Sequence, residues 1–221
     1  ILRSRLPDLK PEAINADVRG DDGTRSIFSY PSLWLGVVAI FLYVGVEVLA
    51  GDAIVVYGQG FGLPLPITSR LTSATLAAML AGYIAGLILV PRFFSQERYL
   101  AISAALAIVL AACAYTTTGV VSVACIALMG FANAMMWPAI FPIAIRGLGR
   151  HTEFGSACLV MAIAGGAILP YAFALLKLVV DFQLAYLILA LPAYAFILAF
   201  GLYGARAARA TNLDVRRADM V

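Results

Sequence analysis

The run Phe41–Tyr57, FLYVGVEVLAGDAIVVY, decides how the rest of the chain is read. It is apolar apart from two carboxylates, Glu47 and Asp52. With its flank it extends from Leu33 to Tyr57, and a bilayer crossing needs about 20 residues at ~1.5 Å each. On that rise Glu47 lies ~21 Å from Leu33, near the middle of the hydrocarbon, and Asp52 lies nearer the far surface. An ionised carboxylate at the membrane centre costs about 2.5–3.5 kcal/mol on insertion scales. A wet cavity, a substrate or a proton offsets such a cost, so Glu47 reads as a functional group.

Composition agrees with that depth. Of 221 residues, 63% are hydrophobic and 12% charged, against about 45–50% and ~25% in soluble domains. Five more apolar runs follow: Ser73–Val90 (closed by Pro91 and Arg92), Tyr99–Tyr115, Val120–Ile145, Phe154–Val179 and Leu184–Tyr203. They are continuously apolar, without the period-two alternation of a membrane barrel, so each reads as a helix. The expected fold is an all-α integral membrane bundle of six transmembrane helices over residues 31–206. A polar connector, rich in turn formers, occupies 1–30, and a tail occupies 207–221. The chain opens with Ile1, not Met, which points to a missing upstream segment.

Thirteen of the fifteen Lys and Arg residues fall on one side of these spans, leaving Arg70 and Lys177 on the other. The positive-inside rule then makes both termini cytoplasmic. No basic stripe interleaved with aromatics occurs, which argues against nucleic acid as a partner. Cys113, Cys125 and Cys158 lie in apolar runs without metal-ligand spacing and read as small packing residues. The single His151 sits in a loop, so an intramembrane serine protease, which needs a histidine at membrane depth, is not supported and no enzyme is expected.

The spans carry many small residues and several breakers. Ala78, Gly82 and Gly86 recur at four-residue spacing, which lets a neighbouring helix approach closely. Gly165–Gly166 ahead of Pro170 predicts a bent segment. Pro138 and Pro142 predict a broken ladder in the fourth run, and Pro192 a bend in the sixth. Asn133 and Trp137, four apart, are expected on one helix face. An amide offers donors and acceptors to a pair of hydroxyls, and an indole offers an apolar plane, a combination suited to a sugar. The plainer reading is a helix–helix hydrogen bond and an aromatic packed on a neighbour. Tyr43 stands one turn before Glu47. Asp52, roughly 140° further round the helix, is read as wetted at the surface or reached by Lys177 or Arg70.

Two stretches, FLYVGVEVLAGDAIVVYG and GFANAMMWPAIFPIAIRGLGRHTEFGSACLVMAIAGGAILP (Gly130 to Pro170), resemble the C-terminal six-helix half of major facilitator superfamily sugar permeases. The resemblance is to the fucose/glucose/galactose:proton symporter branch, and RLPDLKPE is similar to the end of that family's central cytoplasmic loop. It implies a twelve-helix carrier in the bacterial inner membrane, with this chain as one half and an N-terminal six-helix half as its partner. A hexose would be held between the halves at mid-membrane and moved by alternating access, coupled to a proton or a sodium ion, without a cofactor. Glu47 stands at a glutamate position typical of the glucose/galactose members, and Trp137 at an aromatic position expected near the sugar. Glu47, Asn133, Trp137 and Tyr43 are thus the expected substrate-binding residues, with Glu47 and Asp52 the ion-coupling candidates. A carrier of another small polar solute, or a truncated membrane protein that transports nothing, are the alternatives.

Overall fold

The structure is a computed structural model that describes residues 26–218, with side chains to Ala208 apart from Pro91. Residues 1–25 of the expected connector and 219–221 of the expected tail lie outside the described residues. The described residues form helices and turns with no strand among them. In chain order these are α1 (Pro31–Gly51), α2 (Ile54–Gly60), α3 (Leu65–Arg92), α4 (Gln96–Thr116), α5 (Gly119–Asn133), α6 (Met136–Ile145), α7 (Thr152–Met161), α8 (Gly165–Leu176) and α9 (Phe182–Ala218). Five of the helical segments are long and apolar enough to cross a membrane, and a sixth crossing is the bent pair α5–α6. Many large apolar side chains point outward, Leu178 and Val179 being 75% and 78% exposed. Lipid, not water, fits such a surface.

Several boundaries differ from those the sequence suggests, each for a local reason. Helix α3 starts at Leu65, well before Ser73. The hydroxyls of Thr68 and Thr75 donate back to the carbonyls of Leu65 and Leu71, so polar residues continue the helix instead of ending it. The first crossing is interrupted at Asp52 and Ala53 and resumes as α2. The fourth crossing breaks at Ala134–Met135, with an angle of 42° between its parts. Pro138 has no N–H to give the carbonyl of Ala134, four residues earlier, so the break falls before the proline and before Trp137. Ahead of Gly165, where the sequence predicts a bent segment, the backbone tightens into a 3-10 turn, Ala162–Ala164, inside a span that is continuous from Gly149 to Leu176. Pro192 does not interrupt α9, which runs past it on the exposed face and continues into the expected tail as far as Ala218.

Packing relies on small residues and tyrosines. Helix α4 buries Leu100, Ala104, Ala107, Ala111 and Ala114, and α9 meets it with Tyr186, Ala190, Ala193, Ile197 and Phe200. Both stripes alternate steps of four and three, the seam spacing of two helices crossing at a shallow angle. Helix α3 has the close approach its small-residue spacing predicts, and the neighbour is α5 with the break after it: a Cβ at Gly82 would overlap the Phe131 carbonyl, and one at Gly86 the Met135 side chain. Helix α1 is central, touching α6, α8 and α9. Its contact with α8 is closest at Gly165, where a Cβ would overlap the carbonyl oxygen of Phe41.

At one end of the bundle Glu97, only 5% exposed, accepts a 2.6 Å hydrogen bond from Arg146 Nη2, joining the start of α4 to the end of α6. At the other end Gln183 donates to the carbonyls of Ala114 and Thr117 at 2.9 and 2.8 Å, closing the C-terminus of α4. Tyr57 donates to the same Ala114 carbonyl and pairs with Ser122 at 2.8 Å. Arg146→Ala leaves the Glu97 carboxylate enclosed without its guanidinium. Fully buried pairs cost about 3–5 kcal/mol when halved; with half of the Arg146 side chain in solvent, roughly 1–2 kcal/mol is expected. Thermal unfolding in detergent measures it, and Glu97→Gln added to Arg146→Ala should restore part of the loss.

Candidate substrate site

The site is built from the middle of α1. Tyr43 and Glu47 are one turn apart, and the Tyr43 hydroxyl donates to Glu47 Oε1 at 2.6 Å. Tyr43 is buried, while Glu47 is partly exposed. The azimuth of this pair follows from packing on the other side of the helix. Phe41, Val44, Gly45 and Val48 meet Gly165, Gly166 and Leu169 of α8. At ~100° per residue, Tyr43 and Glu47 lie roughly 150° and 110° round the helix from the centre of that seam. A glycine contact on one face therefore aims the acid on another.

Trp137, near the start of α6, brings its ring to 6.5 Å from that of Tyr43 and stacks on Phe141 at 6.3 Å. Both rings are partly exposed. A carboxylate with its hydroxyl partner thus adjoins an aromatic ledge.

Asn133 is placed differently. It is fully buried, and its Oδ1 accepts from the Tyr194 hydroxyl at 3.0 Å. Its Nδ2 is also buried and has no acceptor among the described residues. The helix expected to carry Asn133 and Trp137 on one face breaks between them, and the two side chains have different partners: the amide is joined to α9 and the indole to α1. Asp52 is exposed at the end of α1, apart from this cluster, and no Lys or Arg among the described residues lies within ion-pairing distance.

Tyr194 is the residue that sequence reasoning passed over. Its signal was present: a phenol at the midpoint of an apolar run, far from the interfaces where tyrosines usually anchor. The Glu97–Arg146 pair was missed for the opposite reason, since both residues sit at helix ends and read as solvated charges. Tyr186 adds a sulfur contact, its hydroxyl lying 3.2 Å from Met129 Sδ.

No family model matches the chain. Individual proteins do. A glucose/galactose transporter of Brucella abortus is 36% identical over 208 residues, which take in 90% of this chain and 49% of that protein. A putative glucose/galactose transporter of Helicobacter pylori is 31% identical, over 75% of this chain and 40% of that protein. The L-fucose-proton symporter of Escherichia coli is 28% identical, over 60% of this chain and 30% of its own length. Among solved structures, the major facilitator superfamily transporter FucP in its outward conformation superposes with a TM-score of 0.74 at 26% identity, over 80% of this chain and 43% of that one. The chain spans about half the length of the curated relatives it matches. Six apolar crossings, this superposition and these relatives agree: the chain is a six-helix half-bundle of the major facilitator superfamily, similar in sequence to glucose/galactose and fucose transporters.

Proposed function

We propose that this bundle is the C-terminal half of a twelve-helix hexose carrier in the bacterial inner membrane, with both termini cytoplasmic. A second six-helix half supplies the other wall, and alternating access moves glucose, galactose or fucose between them. The observation that carries the reading is the Tyr43–Glu47 pair beside the Trp137 ledge: a buried-side acid held ready by a phenol, next to an apolar plane. Sugar hydroxyls would meet Glu47 and Tyr43, and C–H faces would meet Trp137. Asn133 Nδ2, enclosed behind Tyr194, is a donor that a sugar hydroxyl or a water would satisfy once the wall opens. Glu47 serves as a protonation site in coupling. Asp52, out at the helix end, is the weaker coupling candidate, with a surface role in ion entry.

The test is uptake by proteoliposomes holding the complete carrier. An inward proton gradient should drive accumulation of at least one of the three sugars, and a sodium gradient alone should not. Accumulation under sodium alone would replace the coupling ion. No hexose accumulation under either gradient would overturn the reading.

Trp137→Ala removes the stacking plane and should weaken hexose binding by about 5- to 30-fold, or roughly 1–2 kcal/mol. Calorimetric titration measures it, and Trp137→Phe should keep most of the affinity. Unchanged affinity in Trp137→Ala would place the sugar elsewhere.

A further inference from the structure

Cys113 and Cys125 do not behave as separate packing residues. Cys113 lies one turn before the end of α4, Cys125 two turns into α5, and their sulfurs stand 3.1 Å apart. That is about 1 Å longer than the ~2.05 Å of a disulfide bond. Both backbones are held in place. The hydroxyls of Thr116 and Thr117 donate to the Cys113 carbonyl at 3.2 and 2.7 Å. Ser122, one turn before Cys125, donates to the carbonyl of Ala114, next to Cys113, at 2.6 Å. The hairpin therefore presents the two thiols to each other in a fixed register. Cys113 is partly exposed and Cys125 nearly enclosed, so an oxidant reaches the first and the second completes the exchange. Cys158, buried on α7, has no such neighbour among the described thiols.

We infer that Cys113 and Cys125 are a dithiol site that closes to an intrachain disulfide under a two-electron thiol oxidant, stapling α4 to α5. Cys113 adds to the oxidant, and Cys125 then displaces the reduced oxidant from that sulfur. One S–S bond forms, two S–H bonds are lost, and the oxidant gains two electrons and two protons. With diamide, the N=N group becomes HN–NH. The staple lies at the end of α4 opposite the Glu97–Arg146 pair, so oxidation leaves α4 tied at both ends.

The experiment treats membranes containing the chain with diamide, dissolves them in denaturing detergent, and labels free thiols with a maleimide. Of the three cysteines, untreated chain should take label on all, and oxidised chain on Cys158 alone, with the α4 and α5 peptides joined in mass spectrometry. Reduction should restore full labelling. The Cys125→Ala variant, given the same diamide, should show no joined α4 and α5 peptides, its Cys113 free or carrying a single oxidant adduct, and should keep label on Cys158. Full labelling of the native chain after diamide, a link between two copies, or loss of label from Cys158 in the variant would each overturn the assignment.

Discussion

Glu47→Gln should lower proton-driven hexose uptake by roughly 10- to 100-fold, the cost of losing a charge-assisted hydrogen bond worth about 1.5–3 kcal/mol. The substitution is nearly isosteric, and the amide oxygen can still accept from the Tyr43 hydroxyl, which donates to Glu47 at 2.6 Å. Local geometry is therefore kept while the ionisable group is lost. Tyr43→Phe does the reverse: the acid stays and its donor goes. It should cost less, on the order of the 1 kcal/mol of a single neutral hydrogen bond, and leave the pH dependence of uptake in place. Comparing the two variants separates a protonation role from a contact role. If Glu47→Gln transports with native kinetics across the pH range, Glu47 has no part in coupling.

The second large effect is structural. Gly165→Val should destabilise the bundle by about 1–3 kcal/mol, the usual cost of overpacking, and more if the helices cannot part. The new Cβ would overlap the backbone carbonyl of Phe41, and a backbone cannot swing aside as a side-chain tip can. Helix α8 must retreat, or α1 must rotate and carry Glu47 with it. A lower thermal midpoint in detergent and weaker hexose binding should thus appear together. Gly51→Ala is the control, because nothing lies within 4 Å of the Cβ it would add. Equal stability of the two variants would falsify the seam as the element that aims the acid.

Crossing number and helical class were legible in the sequence, because continuous apolar runs of this length admit only one economical backbone in lipid. That α3 offers a closely packed face was also legible from Gly82 and Gly86, though not that α5 is the helix it meets. Boundaries were not: hydropathy marks Thr68 and Thr75 as polar, yet their hydroxyls are spent on their own helix. The pairing of Tyr43 with Glu47 follows from one-turn spacing alone. The separation of Asn133 from Trp137 does not, since helical spacing assumes an unbroken helix and Pro138 removes it. Contacts far apart in sequence, such as Tyr194 with Asn133 or Arg146 with Glu97, depend on which helices become neighbours. No local pattern carries that information.

The discontinuity at Ala134–Met135 makes the span between indole and amide an adjustable length. Two short rods meeting at 42° can change their mutual tilt with little loss of internal bonding, since the proline has already removed one rung. One rod is anchored to α9 through an amide and a phenol, the other to α1 through two rings. Any rotation of α1 relative to α9 would thereby change the spacing of indole and amide, and under the proposed function a bound solute would sense it as a change in the size of its berth.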